Sequence, residues 1–210
     1  MKQHRNQWIA TAVVLIFGLI IFYVGTDGFS AYTAETARTN ILLDEKPKLP
    51  EVTLEDSLGA EYDFDEFTGK YMLMTFIYTA CSTVCPELEM NVKEIYEEIP
   101  EQYLGDDLMF LSVSFDPERD TPEILDNYRE NIGGDGDVWR MARIADETEL
   151  DKMLDEFDII VIPDGNGDYA HNVAFYLVDR EGYLMDVMDY QDIEGATEKV
   201  IDLLNKDKEV

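Results

Sequence analysis

Cysteine and histidine are scarce: the 210 residues carry two of each. So few cysteines exclude a disulfide-dense miniprotein. Positive charge is scarce too. Sixteen Lys and Arg stand against 46 Asp and Glu, for a net charge of −30. Phosphate binding needs a basic surface and none is visible, so nucleic acid is not expected as a partner. The acidity reads as a solvated surface suited to a salty or alkaline exterior, and it says nothing about fold. Repeats and low-complexity tracts are missing, and the glycine-containing stretches form neither a phosphate loop nor a dinucleotide fingerprint. Asp164-Gly165-Asn166-Gly167-Asp168 begins like a calcium loop, but its twelfth position is Phe175 rather than Glu, which leaves a polar turn. What is present is enough apolar side chain, 46% of residues, to build a core. The length suits one domain plus a short extra segment.

One long apolar run exists. Trp8 to Val24 reads WIATAVVLIFGLIIFYV and contains no charge. As a helix it is about 26 Å long, just enough to span hydrocarbon. Trp8 and Tyr23 sit near its ends, where amphipathic rings favour the membrane interface. Lys2 and Arg5 precede it without an acid, so the positive-inside rule puts the N-terminus in the cytoplasm and the remainder outside a bacterial cell membrane. The rival reading is a cleaved signal peptide. No small-x-small site directly follows Val24, and no cysteine follows to take a lipid. The expected organisation is a cytoplasmic N-terminus and anchor over 1–24, a tether over 25–46 with little periodicity, and a folded domain over 47–210.

Within that domain a hairpin is expected around Ser57-Leu58-Gly59. Tyr71–Tyr78 and Leu108–Ser114 are continuous apolar runs, as in strands buried on both faces. Leu88, Val92, Ile95, Tyr96 and Ile99 repeat at helical spacing after Pro86, a residue suited to a first turn. Thr121 and Pro122 open another helix, and Asp146 with Glu149 forms a capping-box-like pair before a third. Strands follow over Asn172–Asp179 and Tyr183–Asp189, then a helix over Ile193–Leu204. Alternation of this kind argues an α/β fold with a central sheet and helices on both faces.

Cys81 and Cys85 lie where a buried strand gives way to a helix, the end of an open α/β sheet at which clefts form. Backbone N–H groups and the helix dipole stabilise a thiolate there. Four-residue spacing at a helical turn puts both side chains on one face, able to close a disulfide or grip one ion. The plainer alternative is two small buried hydrophobes. Two thiolates favour soft Cu(I), and an added imidazole suits Cu(I) and Cu(II). The domain's single histidine, His171, stands directly before the strand NVAFYLVD. It is either an ordinary satisfied histidine or a ligand delivered to the cysteines if that strand runs beside Tyr71–Tyr78.

Three segments resemble one family. TFIYTACSTVCPELEMNV resembles the C-x-x-x-C-P motif of the Sco/SenC (synthesis of cytochrome c oxidase) family. SVSFDPERDTPEIL resembles its S-V-D-P-x-x-D-T-P loop, with Phe115 inserted, and DYAHNVAFYLVDREG resembles its distal-histidine segment. The resemblance covers roughly residues 47–206. It implies a thioredoxin-like three-layer sandwich, here with an N-terminal β-hairpin extension and a single preceding transmembrane helix. It also implies copper held by Cys81, Cys85 and His171, and a role in maturing the CuA centre of cytochrome c oxidase subunit II. Asp116 would tune charge near that site, contact a partner, or simply serve the helix-entry loop; neither it nor Asp120 is expected as a ligand. The spacing is C-x-x-x-C rather than the C-x-x-C of thioredoxins, and no proline directly precedes Asn172. Two other functions use the same cysteines as a redox-active pair: a thiol–disulfide reductase that keeps the CuA-site cysteines reduced, and a peroxide-reducing or redox-sensing protein. Redox cycling in either role requires a thiol–disulfide reductant as partner.

Overall fold

The computed structural model describes residues 2–26 and 33–208. The chain forms two compact units that divide after Glu45. The first holds α1 (Lys2–Gly25) and α2 (Ala34–Glu45). Within α1 the stretch Gln7–Gly25 has a mean hydropathy of 2.4 and none of it is buried by protein, so it is long and apolar enough to cross a membrane. The helix α2 lies inside the stretch expected to be an irregular tether. Its start is capped by Thr33, whose Oγ1 accepts from the Thr36 N–H at 3.0 Å.

The second unit is built on a seven-stranded sheet, ordered β2-β1-β5-β4-β3-β8-β9. At its centre β3 (Tyr71–Ile77) and β4 (Leu108–Ser114) run parallel and every residue of both is buried. Burial on two faces is why their sequences are apolar throughout rather than alternating. The parallel pairing is imposed by the crossover through α3 (Val84–Glu98). A second crossover, α4 (Pro122–Ile132), leads to β5 (Trp139–Arg143), parallel to β4. Thr121 caps α4 as expected, its hydroxyl accepting from Ile124 N, and Gly133 ends it at φ +91°. The hairpin β1 (Leu54–Asp56) and β2 (Glu61–Tyr62) turns through Gly59 and adds to the sheet through β5. On the other side β8 (Phe175–Val178) runs antiparallel to β3, followed by β9 (Leu184–Met188).

Helices cover both faces, giving the expected thioredoxin-like three-layer sandwich. α3 packs beside α4 and α6 (Ile193–Lys208). On the opposite face Phe157, at the end of α5 (Glu147–Glu156), meets Phe76 and Tyr176. The Asp146–Glu149 capping box is half made. Asp146 caps α5 through Thr148 N and Glu149 N, but Glu149 accepts instead from Thr53 N, 2.6 Å away, and so ties α5 to the segment before β1. The unit's first residues are fastened to the β8–β9 turn: Leu49 N–H bonds Gly182 O, and Leu184 N–H bonds Pro47 O. That turn lies at the end of the sheet where β3 begins, since Val178 pairs with Met72.

One charged residue interrupts the apolar stripe of α3. Glu89 is completely buried, and its carboxylate accepts from Thr75 Oγ1 and Ser112 Oγ, each at 2.7 Å. The Trp139 indole donates in turn to Ser112 Oγ at 3.2 Å. Burial pushes the Glu89 carboxyl up from 4.5 to about 7, with the two hydroxyl donors opposing that shift. The folded chain therefore keeps a proton on Glu89 over a range in which the unfolded carboxyl has lost it. Stability attributable to this group falls as pH rises from about 4.5 to about 7, by roughly 3 kcal/mol in all. Denaturation of Glu89→Gln across that window should lack this component of the slope, and Trp139 fluorescence should cease to titrate near pH 7. An unchanged slope in the variant assigns the titration elsewhere.

Candidate metal centre

The end of the sheet at which β3 and β4 terminate carries the chemistry. After β3, residues Tyr78 to Ala80 lead to Cys81. This turn is fixed by Asp120, a fully buried acid of the β4–α4 loop. Its carboxylate accepts from Thr79 N at 3.0 Å, from Thr79 Oγ1, and from Ser114 Oγ at 2.5 Å. The loop's other aspartate, Asp116, is buried and paired with Arg119.

The two cysteines do not share a face of one helical turn. Cys85 lies in the first turn of α3, whereas Cys81 precedes the helix. Thr83 occupies the N-cap position but makes no side-chain capping bond. The Cys81 sulfur takes that place and accepts from Cys85 N at 3.3 Å. A first-turn N–H needs an outside acceptor, and a thiolate at a helix N-terminus meets that need. Both cysteines are free and buried, Cys81 at 6% exposure and Cys85 at 0%. Their acidities separate sharply. Burial works against ionising Cys81, but hydrogen bonds from the N–H groups of Cys85 and Thr83 outweigh it and lower the thiol to about 7. Cys85 is raised, first by burial and then by the neighbouring Cys81 and Glu89.

His171 reaches the pair from a separate element. It does not stand directly before the β8 strand. It is the last residue of β7 (Tyr169–His171), which among the described residues pairs only with β6 (Val161–Pro163), in a two-stranded hairpin outside the main sheet. The polar turn at Asp164–Asp168 closes this hairpin, with Asp164 Oδ1 accepting from Asn166 N and Asp168 N. The pairing of β8 with β3 sets the hairpin over the cysteine turn. His171 Nε2 lies 3.6 Å from Cys85 Sγ, and Nδ1 lies 3.0 Å from Asn172 O. A carbonyl only accepts, so Nδ1 carries the proton and Nε2 offers its lone pair to the thiol. Burial lowers the imidazole's basicity, with the Asn172 carbonyl opposing. Phe115 and Tyr78 pack edge-on against the ring.

The structure thus sets Cys85 in contact with both Cys81 and His171, while among the described residues no group of three His, Cys, Asp or Glu side chains is arranged to hold a metal ion. Sequence reasoning missed the aromatic surround of Tyr78, Phe115 and Tyr169, and it missed Arg119. The available signal was an arginine set between the loop aspartates Asp116 and Asp120. The acidity difference has a direct readout. Mass-spectrometric alkylation of the reduced protein should label Cys81 first, with half-maximal rate near pH 7, while Cys85 stays unlabelled until the fold opens. Equal labelling of both would refute the asymmetry.

Comparison with known proteins agrees with this geometry. Residues 43–205 match the SCO1/SenC family model. The SCO1 protein homolog of Bacillus subtilis is 27% identical over 146 residues, covering 69% of this chain and 74% of that protein. Among solved structures, a SCO1/SenC family lipoprotein from Bacillus anthracis superposes with a TM-score of 0.64 at 25% identity, covering 73% of this chain and 95% of its own. Bradyrhizobium japonicum ScoI, solved with copper bound, gives 0.60 at 25% identity, covering 75% and 97%. With the cysteine turn, the aspartate loop and the histidine hairpin meeting at one end of a shared fold, the chain belongs to the SCO1/SenC family.

Proposed function

We propose that this chain is a membrane-anchored copper chaperone serving assembly of the CuA centre in cytochrome c oxidase subunit II, with Cys81, Cys85 and His171 as the ligands of its cargo. The observation that carries the reading is the 3.6 Å approach of His171 Nε2 to Cys85 Sγ, with the Nδ1 proton committed to Asn172 O. Bonds of about 2.3 Å to sulfur and about 2.0 Å to nitrogen at a tetrahedral ion separate two such ligands by about 3.5 Å. Two thiolates and a neutral imidazole form a soft donor set suited to copper in either common oxidation state. Copper bound to the family member from B. japonicum supports the same cargo here.

Loading displaces the thiol protons, and because burial raises the pKa of Cys85 that step becomes easier as pH rises. Three protein ligands leave the cargo open to an acceptor's thiolates, so transfer proceeds through shared ligands. Exchange with a partner disulfide, which takes up the two protons and two electrons and becomes a dithiol, joins the two sulfurs and abolishes both thiolate donors. A dithiol reductant restores them and itself becomes the disulfide. The anchor is α1, with the N-terminus cytoplasmic and the copper-binding domain, residues 47–210, on the other side of the membrane.

Copper titration of the reduced protein should give one tight equivalent. Cys81→Ala or Cys85→Ala should abolish it together with the thiolate-to-copper absorption, and His171→Ala should weaken it by about tenfold or more, about 1.4 kcal/mol. Unchanged binding in all three variants would sink the assignment. Oxidase assembly that survives His171→Ala while copper binding is lost would favour a thiol–disulfide reductase of subunit II instead.

A further inference from the structure

The hairpin that carries His171 stands outside the main sheet and is held to the body by side-chain contacts. Among the described residues its two strands pair with no third strand, and an isolated two-stranded hairpin is marginal in water. Its outer face is open to solvent, with Ile160 and Ile162 about half exposed. The Tyr78 phenol bridges to Asp168 and to Tyr169 N, but at 3.4 and 3.3 Å these are long bonds.

Arg119 makes the shortest polar link between hairpin and body. Its Nη1 donates to Gly167 O in the hairpin turn at 2.6 Å. Its guanidinium lies 5.3 Å from the Tyr169 ring and 5.8 Å from the Tyr78 ring, within cation–π range of both. Its Nε donates to the buried carboxylate of Asp116, which anchors it to the body. The remaining Nη2 is buried and, among the described residues, has no acceptor. That unmet donor costs stability, and the two rings and two oxygen acceptors fix the guanidinium despite it. Tyr169 and His171 lie two residues apart in β7 and so project from one face of the hairpin. Their rings, with Phe115 and Tyr78, form one aromatic box.

We propose that Arg119 is a positioning residue: a clasp between the Asp116 carboxylate and the Gly167–Tyr169 turn that holds the His171 hairpin closed over the cysteine pair and thereby sets how firmly the copper cargo is retained. This rests on the reading of His171 as a ligand. With the clasp shut, the imidazole stays at Cys85. With it released, the hairpin lifts away and the cargo is left on two sulfurs, ready for an acceptor. Lysine substitutes only in part, because it keeps the charge but lacks the planar fork that bonds Asp116 and Gly167 together while stacking on tyrosine.

The test is a double-mutant cycle in the full chain, combining Arg119→Ala with His171→Ala. Copper affinity is read by chelator competition, and hydrogen exchange of residues 161–171 is read in the metal-free protein. Arg119→Ala should weaken copper binding nearly as much as His171→Ala, and the double variant should be no weaker than His171→Ala alone, because the arginine acts through the histidine. Arg119→Lys should fall between wild type and Arg119→Ala. Exchange in the hairpin should accelerate about tenfold or more in Arg119→Ala while β3 and α3 keep their protection. Additive losses, or hairpin exchange unaffected in Arg119→Ala, would overturn the clasp. If His171→Ala alone leaves copper binding intact, the ligand reading fails, and the metal-free exchange result still decides the clasp on its own.

Discussion

A carboxylate with no access to water must find donors inside the protein, and Asp120 finds all of its donors in the turn after β3 and at the end of β4. This one requirement joins two loops that are far apart in sequence. The first presents Cys81 and Cys85. The second presents Asp116 and Arg119. Because both are fastened to the same buried oxygens, a displacement of either disturbs the other. The cysteine turn therefore has a fixed geometry although it is irregular backbone at the edge of the fold.

The same end of the sheet separates two thiols that are identical in sequence terms. Cys81 receives backbone donors at the start of α3, and Cys85 lies behind it above a buried glutamate. One sulfur is poised to be anionic near neutrality and the other is held protonated against a neutral imidazole. Such a pair resists casual oxidation from the inner side and still offers a nucleophile on the outer side. Glu89 contributes to this difference from within α3, and its hydroxyl partners extend through Ser112 to Trp139.

Much of the fold was legible in the sequence because burial on two faces leaves no room for polar alternation. Tyr71–Ile77 and Leu108–Ser114 could be read directly as central strands, and Thr121-Pro122 marked the start of α4 as it stands. Four elements were not legible, β7 (Tyr169–His171) among them. β5 is five residues long, with Arg140 and Arg143 among its apolar positions and glycines just before it. β6 ends on a proline beside a polar turn, so no strand pattern develops there. α2 follows from a local cap at Thr33 rather than from an apolar stripe. At the site, residue types and chain order pointed to Cys81, Cys85 and His171, but not to the sulfur serving as a helix cap. Glu89 and Arg119 were hidden for a common reason. In so acidic a chain a charged residue is taken as solvated, and only tertiary packing shows that these two are held by specific partners.

The attachment of residues 47–49 to the β8–β9 turn fixes the first residues of the folded unit at the opposite end of β3 from the cysteines. Seven residues of strand correspond to about 23 Å. Within the folded unit, the fastening of its first residues and the cysteine turn therefore stand a full strand apart, and strain at one reaches the other only along the central sheet.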